Sequence, residues 1–133
     1  MYESKGILHI QIQLRVDDDL VIRVNSSEIE QVILNLLNNA AQALANSGTL
    51  QRRIAIEATK TGNSVRLSIS DNGAGVPEDF KSQLFELLST TKQTGMGLGL
   101  WLCKHIVTRY SGSIHYEDAV GGGAKFVIEL PLN

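Results

Sequence analysis

Val65-Arg66-Leu67-Ser68-Ile69-Ser70-Asp71-Asn72-Gly73-Ala74-Gly75 decides how the rest of this 133-residue chain is read. Its first six residues alternate apolar and polar, the period-two signature of a β-strand with one face buried. Asp71 then ends the strand, and two glycines follow within four residues. Gly73 and Gly75 would let the backbone take positive φ and approach a flat ligand without a Cβ in the way. An ionised Asp at such a strand end can accept a hydrogen bond from an exocyclic amine, which separates an adenine amino group from a guanine carbonyl. A plain Asn-Gly turn between strand and helix is the alternative reading of the same residues.

Upstream of this strand, a turn at Thr61-Gly62-Asn63 predicts a hairpin with a partner over residues 53–59. Residues 6–15 alternate again (Ile7, His9, Gln11 and Gln13 against Leu8, Ile10, Ile12 and Leu14) and read as a strand. Asp17-Asp18-Asp19 turns the chain, and residues 20–24 read as a second short strand. Ser27-Glu28-Ile29-Glu30 looks like a capping box that opens a helix running to about Asn46. Downstream, a short helical stretch is expected from Pro77, then a polar loop over residues 89–95. A second long helix is expected from near Gly97 to just before Ser111-Gly112. A hairpin closes the chain, with strands over 113–117 and 124–130 joined by Gly121-Gly122-Gly123. Helices alternate with hairpins, so a mixed sheet covered on one face by helices is the economical architecture.

The first helix carries an unusual face. Apolar residues recur at 29, 32, 33, 36, 37, 40, 43 and 44, a continuous stripe for burial. Beside it stand Gln31, Asn35, Asn38, Asn39, Gln42 and Asn46. Asparagine is a poor helix former, and three within five residues cost roughly 1–2 kcal/mol relative to alanine. Asn35 and Asn39 are one turn apart, so their side chains lie one above the other. A solvated face is one reading. The other is that a carboxamide oxygen completes the shell of a Mg²⁺ held mainly by phosphate, since magnesium takes hard oxygen ligands and keeps several waters.

A third island, Gly95-Met96-Gly97-Leu98-Gly99-Leu100, follows the polar run Ser89-Thr90-Thr91-Lys92-Gln93-Thr94. Backbone amides in such a glycine loop can point at anionic oxygens, and the helix start behind it supplies a positive dipole end. Lys92 could meet a terminal phosphate as a point charge, with Thr90 or Thr91 donating hydroxyls. The loop lacks the Gly-Lys-Ser/Thr ending of a P-loop and the βαβ context of a dinucleotide fingerprint. In isolation it reads as a hinge; the order of the three islands points to a nucleotide pocket.

Composition narrows the classes. The chain has 12 basic and 14 acidic residues, net charge −2, which disfavours nucleic acid as a partner. Hydrophobic content of 43% and charged content of 20% suit one soluble domain. With a single cysteine, Cys103, no internal disulfide or thiolate cluster can form. No apolar run reaches the ~18 residues of a membrane span, so no membrane contact is expected and a cytoplasmic setting is.

Taken together, these residues resemble the catalytic, ATP-binding domain of two-component sensor histidine kinases in the GHKL (Bergerat-fold) superfamily. Asn35-Leu36-Leu37-Asn38-Asn39-Ala40-Ala41-Gln42-Ala43 is similar to the family's N box, and Asp71-Asn72-Gly73-Ala74-Gly75 to its first glycine box. Phe85-Glu86-Leu87-Leu88-Ser89-Thr90-Thr91-Lys92 resembles the F box with a short Thr-Thr-Lys lid, as in oxygen- and nitrogen-responsive kinases. Gly95 to Leu100 resembles the second glycine box, and Gly121-Gly122-Gly123-Ala124-Lys125-Phe126 the closing hairpin.

The resemblance implies an α/β (α+β) two-layer sandwich. Its mixed, mostly antiparallel sheet would have about five to seven strands, covered on one face by about three helices. It implies Mg²⁺ and ATP as cofactors, with Asn39 as the metal ligand and Asn35 beside the phosphates. It places Asp71 on the adenine amine, with Gly73, Gly75 and Val76 around the base. Thr90, Thr91, Lys92, Gly95, Gly97, Leu98, Gly99 and Leu100 would cover the phosphates, and Asn35 and Lys92 would serve the transfer. Departures are Gln42, where a basic residue is frequent, Leu87 and Leu88 in place of Pro and Phe, and Trp101 in a place usually small. Trp101 reads either as a partner contact or as core packing.

None of His9, His105 and His115 has the setting of a phosphoacceptor. The chain therefore reads as a single domain, residues 1–133, cut from a longer kinase, with Met1 an added start. The phosphoacceptor would be a separate dimerisation domain, with a response regulator further along. Two rivals remain at this level: an ATPase of the gyrase or chaperone type, and a nucleotide-sensing module that transfers nothing. Asn35 stands where the ATPases place a water-activating glutamate, and an amide cannot be a general base.

Overall fold

A computed structural model of the chain describes residues 9–86 and 97–132. Strand β1 (Ile10–Val16) leads through helix α1 (Ser26–Ala45) to β2 (Arg52–Thr61), which turns back into β3 (Ser64–Asp71). A single 3-10 segment, Glu78–Gln83, follows the glycine turn. Helix α2 (Gly97–Arg109) then feeds the hairpin of β4 (Ser113–Asp118) and β5 (Ala124–Pro131). The five strands form one open sheet in the order β1-β2-β3-β5-β4. β1 pairs parallel with β2, and the other three pairings are antiparallel. A parallel neighbour needs a long crossover, and the 20-residue α1 is that crossover.

The register puts Ile56, Ile69, Phe126 and Tyr116 in one row across the sheet, with Leu67, Ile128 and Ile114 in another on the same face. Both helices lie over this face. Val32, Leu36, Ala40 and Leu44 of α1 and Leu100, Cys103, Ile106 and Val107 of α2 close the core against it. Each large side chain so buried is worth about 1.5–3 kcal/mol. The opposite face carries cross-strand ion pairs instead, Arg15 with Glu57 and Arg66 with Glu117. The sandwich thus has the expected two layers and a mixed, mostly antiparallel sheet.

Two expectations are corrected. Residues 20–24 form no strand: Ile22 and Val24 pack half-buried against the core, while Val21 is 72% exposed, and no neighbour among the described residues offers them a ladder. The cap of α1 is Asn25, two residues before the expected Ser27. Its side chain accepts from Glu28 N at 3.1 Å and from the Ser27 hydroxyl at 2.6 Å, and Asn serves this position as well as Ser does. Two α-helices and one 3-10 segment occupy the described residues, in keeping with the expected three or so, the third being the short stretch after Pro77. The 3-10 turn stays short because Leu84 is drawn into the core immediately behind it.

At its far end α2 closes with Ser111 in a left-handed conformation (φ 62°) and Gly112 N bonded back to Val107 O at 2.8 Å. This is the helix stop read from Ser111-Gly112, with the left-handed residue one place earlier than glycine. Glu28 then fastens the two helices together. Its carboxylate takes the Tyr110 hydroxyl at 2.5 Å and pairs with Arg109, while Asn25 N donates to the same hydroxyl at 3.0 Å.

Candidate nucleotide site

The asparagine face of α1 is where the three islands meet. Gly73 packs so tightly on this helix that a Cβ there would lie 3.1 Å from the Ala43 carbonyl. Ala43 is one helical turn beyond Asn39. One turn before Asn39, the Asn35 amide nitrogen donates to Gly99 O in the first turn of α2, at 3.5 Å. The Asp71 turn and the start of α2 therefore sit at two ends of one helix face. Asn35 and Ala43 are about 12 Å apart along the axis at 1.5 Å per residue. Asn39 stands between them.

Asn39 is 7% exposed, and its amide nitrogen is buried without a hydrogen-bond partner among the described residues. Buried polar groups are nearly always paired, and an orphan costs about 1–3 kcal/mol. Such a group fits a ligand that would complete it. Asn35 is different: its oxygen accepts from Gln31 Nε2 at 3.2 Å while its nitrogen reaches Gly99, so the side chain is committed to holding α1 and α2 together. Asn38, exposed, takes no part.

Asp71 is 6% exposed. Its Oδ1 accepts from Gly73 N at 2.9 Å and from Ala124 N at 3.5 Å. Burial pushes its carboxyl pKa above the usual aspartate range, and the two backbone hydrogen bonds pull against that rise. One oxygen is thus occupied by the protein in a dry place, and Asp71 keeps acceptor capacity for a ligand. Gly123 explains how the last hairpin comes so close. It has φ +102°, and a Cβ there would fall 2.0 Å from the Asp71 carbonyl. The Gly121-Gly122-Gly123 turn is part of this site's wall, which its sequence alone showed only as a turn.

Of the two glycines expected at positive φ only Gly75 has it (φ +80°), Gly73 being needed for space against α1; the Gly75 Cβ position lies 3.4 Å from Gly123 O and 3.7 Å from the Tyr116 hydroxyl. Val76, 8% exposed, belongs to the core cluster, so it can offer a base only one flank. Leu100 is fully buried, and whatever it gives a phosphate comes from its backbone. Gly97 and Leu98 belong to the first turn of α2. Thr90, Thr91, Lys92 and Gly95, with Leu87 and Leu88, lie outside the described residues.

Tyr116 and Gly123 are the neighbours of the turn that the sequence reading missed. Tyr116 gives no local signal, since it looks like any strand aromatic. The remaining singled-out residues are ordinary. Cys103 is fully buried, and burial pushes its thiol up to about 11. His115 bonds Glu117 at 2.8 Å. His105 stacks on half-buried Trp101, ring centres 5.2 Å apart, on the outside of α2.

Residues 24–133 match the family described as histidine kinase-, DNA gyrase B-, and HSP90-like ATPase. The sensor histidine kinase ZraS of Escherichia coli O157:H7 is 35% identical over 125 residues, covering 93% of this chain and 26% of that protein. Sporulation kinase D of Bacillus subtilis (strain 168) is 29% identical over 135 residues, covering 100% of this chain and 26% of its own length. The chain thus spans about a quarter of the curated relatives it matches. Among solved structures, the nucleotide-free catalytic domain of histidine kinase ThkA superposes with a TM-score of 0.78. The two are 31% identical, and the match covers 92% of this chain and 78% of that one.

Proposed function

The chain belongs to the histidine kinase-, DNA gyrase B-, and HSP90-like ATPase family, and on that premise we propose that it binds Mg²⁺-ATP for transfer to a histidine. The acceptor histidine would stand on the dimerisation domain of a longer sensor kinase, from which the phosphoryl group passes to a response regulator. The setting is cytoplasmic, where ATP is available, with the longer kinase free to be membrane-bound. No helix among the described residues is long and apolar enough to cross a membrane.

The single observation that carries this reading is the side of α1. It joins a buried carboxylate turn at one end to a helix start at the other, with an orphaned buried amide between them. Asp71 accepts from the adenine amine, with Gly73, Gly75 and Val76 beside the ring. Asn39 turns its amide toward the phosphates and would hold the magnesium. The described residues contain no group of three or more His, Cys, Asp or Glu that could hold a metal. The ion would rest on phosphate oxygens and the Asn39 carboxamide oxygen, a ligand set magnesium accepts, while the orphaned amide nitrogen can donate only to an acceptor such as a phosphate oxygen. Once bound, it would neutralise charge on the phosphate oxygens.

The chain's own part is binding and orientation. Amides around Gly97 to Leu100 and the dipole of α2 receive the phosphates, and Gly95, Thr90, Thr91 and Lys92 would add further phosphate contacts by their chemistry. Asn35 fixes α2 against α1 through Gly99, so the phosphate end and the metal ligand keep one spacing. Its amide offers no base for activating water, which disfavours the hydrolytic reading and predicts slow ATP turnover by the isolated chain.

The test is to mix the chain with a separately made dimerisation domain of a matching kinase and γ-labelled ATP. Label should appear on the acceptor histidine with wild type and be absent with Asn39→Ala. Wild-type transfer by Asn39→Ala, or rapid phosphate release without transfer, would refute the assignment.

A further inference from the structure

A cluster beside the glycine turn has no part in the nucleotide contacts described so far. Val76 N donates to the Tyr116 hydroxyl at 3.3 Å, and that hydroxyl donates to Asp118 Oδ1 at 2.8 Å. Asp118 also pairs with Lys81 Nζ at 3.1 Å, and Lys81 pairs with Glu78 at 2.9 Å. The ammonium group lies 5.5 Å from the centre of the Tyr116 ring. That ring meets Phe126 edge-on at 5.5 Å, and Phe126 meets Phe85 edge-on at 6.2 Å. One side chain on β4 therefore joins the end of the Asp71–Val76 turn to the 3-10 segment behind it and to the closing hairpin.

The hydroxyl and the ring do separable work. The ring packs, and phenylalanine would pack as well. The hydroxyl supplies an acceptor to a backbone N–H in irregular chain, where no ladder or helix offers one. Asp118 takes the hydroxyl's own proton, which orients its lone pair toward Val76. Burial and Asp118 both raise the phenol's pKa, so it stays protonated throughout the neutral range. Gly75 leaves the hydroxyl room to approach, its Cβ position being 3.7 Å away.

We propose that Tyr116 is a positioning residue for base recognition: by pinning Val76 it fixes the gap between the apolar flank of the turn and the Asp71 carboxylate. This rests on the reading of Asp71 as the acceptor for adenine. Tyr116 touches no reacting atom and acts only through the turn. A base that makes no bond to Asp71 has little to gain from the spacing, so the effect should be specific to adenine nucleotides.

The experiment titrates ATP and GTP calorimetrically into the 133-residue chain and into Tyr116→Phe, Asp71→Asn, the double variant and Asp118→Ala. Losing one neutral hydrogen bond should weaken ATP about three- to tenfold in Tyr116→Phe and leave GTP nearly unchanged. The double variant should bind ATP no more weakly than Asp71→Asn alone, because both act on one contact. Asp118→Ala, which keeps the tyrosine and removes its acceptor, should shift ATP in the same direction by less. In the transfer assay, Tyr116→Phe should raise the KM for ATP with kcat unchanged.

If Asp71→Asn binds ATP as wild type does, the base reading falls, and this proposal with it. If Asp71→Asn is impaired while Tyr116→Phe and Asp118→Ala match wild type, only the Tyr116 proposal falls. The same holds if the Tyr116→Phe loss adds in full to that of Asp71→Asn. A lower melting temperature with an unchanged ATP-to-GTP ratio would likewise reduce Tyr116 to a packing residue.

Discussion

Asp71 is costly to the fold and, on the function proposed, useful to the site, and the two can be pulled apart. Its pKa in the folded chain is raised by burial. A carboxyl with a raised folded pKa adds stability when protonated, and that contribution is lost as pH rises through the folded value. At neutral pH the ionised group is therefore a burden on stability, one that the proposed role as an acceptor for adenine would offset. Asp71→Asn should keep an oxygen for Gly73 N and Ala124 N, hold or raise the melting temperature at pH 7, and lose preference for adenine. The wild type's affinity for adenosine nucleotides should fall on acidification at a pH above the usual aspartate range. Melting curves and titrations across pH check both; a destabilised Asp71→Asn with intact adenine preference would reverse the assignment. The strand end at Asp71 was legible in the sequence, because an aspartate followed by two glycines marks where the ladder stops. Tyr116 was not legible, since its role depends on Val76 arriving from forty positions away in the chain.

Elements with strong periodicity came through the sequence reading nearly intact. The stop signal Asn46-Ser47-Gly48 put the end of α1 near Asn46, and Asn46 N does bond back to Gln42 O at 3.0 Å. The β2–β3 hairpin extends the expected strands by one or two residues, because Asp71 still pairs with Ile54 in the ladder. Residues 20–24 misled because a short apolar run fits a strand and an irregular segment equally well. Only neighbours decide, and here there are none to pair with. The start of α1 misled because Asn25 and Ser27 both satisfy the cap preference, and the choice turned on which oxygen reaches Glu28 N. The stop of α2 permits a sharper test. A Cβ on Gly112 would meet Glu129 O at 2.5 Å and Leu130 Cδ2 at 2.7 Å. Gly112→Ala should thus push α2 off β5 and cost about 1–3 kcal/mol by urea denaturation. An unchanged midpoint would mean that the helix end yields freely.

At the scale of the molecule, the sequence carried the layer architecture but not the assembly of the site. Alternating helices and hairpins predict a mixed sheet with one covered face, and the register confirms it row by row. What periodicity cannot convey is that β5 lies between β3 and β4. That order swings the Gly121-Gly122-Gly123 turn against the end of β3 and makes it a wall beside Asp71. Nor does it convey that α1 touches the Asp71 turn with one end and α2 with the other. The three islands are spread from Asn35 to Leu100, and this packing makes neighbours of them. The most direct measurement is a backbone amide NMR titration of the chain with Mg²⁺-ATP. Resonances of Asn39, of Gly73 and Gly75, and of Gly97 to Gly99 should shift together along one saturation curve. Shifts confined to one of these groups, or separate curves for the glycine turn and the start of α2, would show that no common cleft exists.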